Sequence, residues 1–148
     1  QTTGRRYVAG FHRRHGGAGP LWAGRFRAGV VQPGEWSLLA TLAVDLQPVR
    51  QGLVGSAVDH AWSSARHHLG LARDPLVAVG AAYWALGNTP FEREAAYRRR
   101  VDEGLNTAQW QRLDDAARHS WVVGDAAYLA ELGRATARPL APRPRGRW

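Results

Sequence analysis

The feature that most constrains this chain is an apolar helix pattern running into the stretch Leu46-Gln47-Pro48-Val49-Arg50-Gln51-Gly52-Leu53-Val54. Trp36, Leu39, Ala40, Ala43 and Leu46 recur at spacings of three and four, which is one face of an amphipathic helix. Pro48 has no N–H to donate, and the residue before a proline is pushed out of the helical region. The pattern therefore predicts a helix that stops at Gln47, then a turn carrying Arg50 and Gly52. A guanidinium projecting beside a helix end suits a polynucleotide backbone, and it equally suits a corner in a compact fold. The residues alone leave both open.

A chain of 148 residues makes one domain, or a small domain with an appendage, and 45% apolar content is enough for a core. It has no run of eighteen apolar residues, no signal-peptide pattern and no cysteine. Nothing here points to a membrane partner, secretion, a disulfide frame, thiolate chemistry or a zinc ribbon. A bacterial-type cytoplasmic, nucleoid-associated protein is the expectation, and a chain opening on Gln rather than Met reads as a fragment or a processed product.

Charge adds kind and place. All twenty basic residues are arginine, the side chain that grips phosphate bidentately and stacks on bases. Residues 1–34 hold six Arg and no acid, residues 35–133 nine Arg and twelve acids, and residues 134–148 five Arg and no acid, giving +6, −3 and +5. Two basic ends around a mildly acidic middle are the footprint of a polyanion partner, most often nucleic acid, or else of a soluble protein with solvated tails.

Taken in order, Thr3 to His15 reads as a helix with Tyr7, Val8 and Phe11 toward a core and His12-Arg13-Arg14-His15 at its C-terminal end. Gly16-Gly17-Ala18-Gly19-Pro20 breaks it, without the Gly-Lys-Ser/Thr of a Walker loop. From Leu21 to Val31 the period becomes two, with Phe26, Ala28 and Val30 on one face and Arg25, Arg27 and Gly29 on the other, a half-buried strand. Trp22 at its start is a core anchor or a base-stacking platform. Ser63 or Ser64 caps a short helix through Leu69. The adjacent His67-His68 cannot share a helix face as a metal pair. Asp74-Pro75 starts a helix with Leu76, Val79, Tyr83 and Leu86 inward. Thr89-Pro90-Phe91-Glu92 is a capping box before a helix that carries Phe91, Ala95, Val101 and an Arg98-Arg99-Arg100 run and ends near Gly104. Asn106 or Thr107 caps the next, with Trp110, Leu113 and Ala117 inward, and Gly124-Asp125 opens a last helix that Gly133 stops. That pair is a helix-turn-helix reader or a plain helical hairpin. The tail 134–148 should stay disordered until it meets a partner. No catalytic constellation stands out, so the residues alone give a basic, mainly helical nucleic-acid binder.

Four blocks in order carry a resemblance: Tyr7…Phe11-His12-Arg13-Arg14-His15-Gly16, Gly19-Pro20-Leu21-Trp22-Ala23-Gly24-Arg25-Phe26-Arg27, Leu46 to Val54, and Trp62-Ser63-Ser64. The chain resembles the REP-associated tyrosine transposases of the insertion-sequence-200-like, single-tyrosine HUH superfamily. Later echoes at Ala85-Leu86-Gly87, Glu92-Arg93, Ala96-Tyr97-Arg98 and the Gly124-Asp125 segment extend it over nearly the whole chain. The resemblance implies an α+β fold, predominantly α-helical here. It gives a partial ferredoxin-like HUH core (residues 1–70, one or two strands plus helices), a C-terminal helical extension (71–133) and a basic tail (134–148).

For function the resemblance implies DNA transposition: cleavage and rejoining of single-stranded DNA at palindromic repeats through a phosphotyrosine link, with a divalent metal (Mg or Mn) held by a His-hydrophobic-His strand. That strand is missing from these residues, and Ala43 occupies the family's tyrosine position, so no strand cleavage and no cofactor are expected. Gln47, one helical turn on, keeps an amide where the superfamily can add a metal ligand. Carried over, Arg13, Arg14, Trp22, Arg25, Arg27 and Arg50 are the expected DNA contacts, to a single-stranded hairpin or palindromic repeat, with a homodimer left open. Two other readings stand beside this one: the C-terminal part of an enzyme completed by another segment or subunit, and a helix-turn-helix-like regulator derived from a transposase.

Overall fold

A computed structural model of the chain describes residues 2–22, 24, 26–137 and 139–142. Among them the elements are α1 (Thr2–His15), α2 (Glu35–Arg50), a 3-10 turn at Ala57–Asp59, α3 (Ala65–His68), α4 (Ala81–Trp84), α5 (Pro90–Glu103), α6 (Thr107–His119) and α7 (Ala126–Ala135). The protein is predominantly helical. Helix α2 is the hub, packing against the 3-10 turn, α4, α5 and α6. It can do so because it is apolar on more than one side. Leu38 and Leu42 enter a core with Leu69, Tyr83 and Tyr97, while Ala40, Ala43 and Gln47 line a cavity shared with α6.

Pro48 does not stop α2, contrary to the reading from sequence. The helix continues to Arg50 with Pro48 inside it and buried. Only the bond from residue 48 to the Val44 carbonyl is lost, and Val44 lies on the exposed side of the helix, where water can take that carbonyl. The real stop is Gly52, in the left-handed region at φ 69. The Leu53 N–H donates to the Pro48 carbonyl at 2.9 Å and the Gly52 N–H to the Val49 carbonyl at 2.9 Å, the paired bonds of a Schellman motif.

The expected strand from Leu21 to Val31, and with it the one or two strands of a ferredoxin-like core, is not formed among the described residues. A strand is a property of its partners as much as of its own alternation. Among the described residues the extended chain meets one neighbour, through a single parallel bridge between Val31 and Val123. The Val123 N–H donates to the Val30 carbonyl and the Gln32 N–H to the Val123 carbonyl. Phe26, expected inward, is 92% exposed. The approach is close: a Cβ on Gly29 would stand 2.2 Å from the Trp121 carbonyl oxygen, so only glycine fits.

Three further readings shift. Helix α1 forms, but none of its residues is buried. Tyr7 and Phe11 pack instead on Trp22 and His15, with the Tyr7 and Trp22 ring centres 5.9 Å apart. Asp74-Pro75 makes a turn, in which the Asp74 carboxylate accepts the Leu76 N–H, and leaves Leu76 exposed; the helix there is only Ala81–Trp84. Helix α5 begins at the expected capping box, and its inward stripe is Arg93, Tyr97 and Val101, with Phe91 exposed. The α6 cap is Asn106, boxed with Gln109. Helix α7 passes through Gly133 to Ala135, and the chain then returns so that the Leu140 carbonyl accepts the Val122 N–H at 3.0 Å.

Candidate nucleic-acid interface

The expected contact residues divide into two groups by what holds them. Arg13 and Arg14 end α1, where His12 to His15 form a basic last turn, and both are exposed. Trp22 is 58% exposed beside Tyr7. The helix thus ends in exposed cations, and the loop after it sets an exposed indole against Tyr7. Arg27 is exposed but donates to the Arg118 carbonyl. Arg25 lies outside the described residues.

Arg50 is engaged within the fold. Its Nη2 donates to Asp114 Oδ2 at 2.7 Å, and its guanidinium lies 4.3 Å over the Trp110 ring. The hydrogen bond from Arg50 holds the Asp114 carboxyl below its ordinary value. A salt bridge and a cation–π contact pin α2 to α6 at this corner of the fold.

Ala43 and Gln47 do share a site, as helical spacing requires: both line an open cavity of about 600 Å³ between α2, α6 and the extended segment. Trp110, Leu113, Ala116 and Trp121 make its apolar wall, with Arg27, Gln51, His60 and Asp114 as the polar members. Among the described residues no group of three or more His, Asp or Glu side chains gathers where it could hold a metal ion.

The most tightly built polar site was not legible in the sequence. Asp45, fully buried, accepts from Ser64 Oγ at 2.6 Å, from His68 Nδ1 at 2.7 Å and from the Tyr97 hydroxyl at 2.8 Å, with Ser63 Oγ at 3.4 Å. Tyr83 donates its hydroxyl to the His68 carbonyl at 2.7 Å. Burial works against the Asp45 charge, yet the hydrogen bonds from His68, Ser64 and Tyr97 outweigh it and hold the carboxyl below its ordinary value. Burial and the neighbouring Asp45 charge push the Tyr97 hydroxyl well up. A carboxylate can only accept, so its three close partners all donate, and the cluster ties α2, α3 and α5 together. The signal available was an aspartate set among Leu42, Ala43 and Leu46, followed by Ser63-Ser64. Neither says that residues 68 and 97 will close on it.

The link between α6 and α7 spans residues 120–125, longer than the three- or four-residue turn of a helix-turn-helix. It is occupied by its pairing with residues 28–32: the Ala28 N–H donates to Ser120 Oγ, and Gln32 Nε2 to Asp125 Oδ2 at 2.9 Å. No helix among the described residues is long and apolar enough to cross a membrane. No protein-family model, no curated protein and no solved structure matches the chain.

Proposed function

We propose that the chain is a transposase-like DNA-binding protein that engages single-stranded hairpin or palindromic DNA and does not itself cleave it. The observation that carries this reading is that α1, which ends in the exposed Arg13 and Arg14, buries none of its residues, while the exposed Trp22 of the loop after it packs on Tyr7. A cationic surface with an exposed indole suits a backbone of phosphates and unstacked bases. On this reading the extended 26–32 segment is what remains of the family's sheet edge, and α5 to α7 form the helical extension.

The loss of chemistry follows from position 43. The family reaction needs a phenolate oxygen to attack phosphorus, and alanine has none. The core tyrosines do not replace it. The hydroxyls of Tyr83 and Tyr97 donate to the His68 carbonyl and to Asp45, and burial pushes both away from ionisation. Preference for hairpin over duplex separates this reading from a helix-turn-helix regulator, and the long, occupied link before α7 favours the first.

The test is binding of the purified chain to a labelled single-stranded hairpin and a matched duplex at two salt concentrations. The hairpin should bind more tightly, and the paired change Arg13→Ala, Arg14→Ala should weaken it and lower the salt slope by roughly one to two units, as expected for one or two lost phosphate contacts. Equal affinity for hairpin and duplex, or a slope unchanged in the double variant, would overturn the assignment. Cleavage of the same hairpin by the wild-type chain would overturn the claim of lost chemistry.

A further inference from the structure

The cavity beside Ala43 has a size and lining that the resemblance does not account for. At about 600 Å³ it falls within the range of small-ligand sites, and its wall is mostly apolar and aromatic with a few polar side chains. Two of those walls are indoles whose rings are fixed from outside. The Arg50 guanidinium lies 4.3 Å over Trp110, and His119 stacks on Trp121 at 4.3 Å with only 18° between the planes. Fixed aromatic rings are stacking surfaces that cost little ordering when a planar guest arrives. The amides of Gln47 and Gln51 and the ring of His60 also line the cavity, and no hydrogen bond holds these three side chains among the described residues. Each amide offers a donor and an acceptor side by side, the pattern that a base edge presents in return.

We propose that this cavity receives one unpaired nucleobase with its sugar, extruded from the bound strand. The inference rests on the DNA-binding reading above and gives it a second, separate point of contact. Ala43 is central to the geometry. Its methyl group leaves open the space that a larger side chain at this position would fill, so the same substitution that removes the nucleophile makes room for the guest. The occupant is a nucleobase rather than an apolar peptide because the chain carries a net charge of +8 and the cavity sets the polar edges of Gln47, Gln51 and His60 beside its two indoles. A planar, edge-polar ring delivered on a polyanion matches both.

The experiment compares a hairpin oligonucleotide with versions carrying a single abasic site at each unpaired position in turn, against the wild-type chain and against Ala43→Phe, whose ring should fill the cavity. With the wild type, one abasic position should weaken binding roughly tenfold, the scale of one lost stacking contact, while the others change it less than twofold. With Ala43→Phe, the intact and abasic hairpins should bind alike, at the wild type's abasic level. Circular dichroism checks the fold of that variant, and Ala117→Trp, at an exposed α6 position on the cavity wall, repeats the blockade should Ala43→Phe not fold. Uniformly small abasic effects, or an abasic penalty that survives a folded blocking variant, would overturn the pocket while leaving DNA binding intact. Failure of the wild type to bind any hairpin would remove both readings at once. A blocking variant that binds hairpins as the wild type does, but changes oligomeric state, would assign the cavity to a second copy of the chain instead.

Discussion

Helices α1 and α5 each run fourteen residues and each carry four arginines, yet they use them in opposite ways. In α5 the guanidinium of Arg93 donates to the Gly87 carbonyl and lies 4.3 Å over the Trp84 ring, Arg98 reaches the Leu69 carbonyl, and Arg100 makes a two-pronged pair with Glu35. Three of its four arginines are fastened to the fold. In α1, Arg5, Arg6, Arg13 and Arg14 make no hydrogen bond or ion pair among the described residues, and nothing in the helix is buried. The difference shows that the count of arginines does not locate a binding surface. What locates it is whether a carbonyl, carboxylate or aromatic face within the fold already occupies the guanidinium. The buried Tyr97 makes α5 a structural helix, and α1 has no equivalent anchor.

The comparison is tested most severely at Asp45. Asp45→Ala strips the acceptor from Ser64, His68 and Tyr97 at once and should cost about 3–5 kcal/mol, read as loss of the cooperative transition in urea. A variant retaining wild-type stability would show that the cluster is not what holds α5 in place. Gly29→Ala should come next at about 1–3 kcal/mol, because its methyl group meets the Trp121 carbonyl and must push residues 28–32 off residues 120–123. Thermal melting checks it, and an unchanged midpoint would mean that the bridge contributes nothing.

Smaller effects follow from protonation. The folded Asp45 carboxyl sits below its ordinary value of 3.8, so its contribution is present above that pH and is lost as pH falls through the folded value. The folded Tyr97 hydroxyl is raised, so its contribution is present below the ordinary tyrosine value of about 10 and is lost as pH climbs beyond it. Stability measured from pH 2 to 11 should therefore fall at both ends, and Tyr97→Phe should weaken both limbs, the alkaline one by removing the titrating hydroxyl and the acid one by taking one hydrogen bond from Asp45. Arg50→Ala should cost only about 1 kcal/mol, for one partly exposed ion pair and one ring contact, and should leave the salt slope of DNA binding unaltered. Arg14→Ala in α1 should change stability by less than about 0.5 kcal/mol while lowering that slope. If Arg50 proved the more important of the two for binding, the division between fastened and free arginines would fail.

What the sequence made legible was chemistry completed within a few residues. Thr89-Pro90-Phe91-Glu92 and Asn106 start helices because the caps close on N–H groups three positions away. The alternation at Leu21–Val31 does not become a strand among the described residues, because pairing depends on residues some ninety positions distant. Pro48 does not end α2 because a missing N–H is tolerated in the last turn when the carbonyl it abandons faces water, and Gly52, two residues past that turn, is the stop. In α5 the inward register is set by Tyr97, whose hydroxyl reaches Asp45, a partner that no pattern within the helix reveals. Of the site, the shared placement of Ala43 and Gln47 followed from helical spacing alone. The Asp45 cluster could not be foreseen, since it joins positions 45, 64, 68 and 97 through packing that no local pattern encodes. The role of α1 in binding DNA remains the proposal its exposed arginines support.

The bridge between Val31 and Val123 also bears on the order of folding. Its two valines are separated by most of the chain, so closing that loop forfeits more chain entropy than any turn between neighbouring helices. The helices from α2 to α6 can form and dock before it, and their packing is what brings the two segments within reach. The bridge should thus be late to form and early to open. Amide exchange at Gln32 and Val123, whose N–H groups it protects, would act as a clock for the final closure of the fold, distinct from the slower exchange expected around Leu42 and Tyr97.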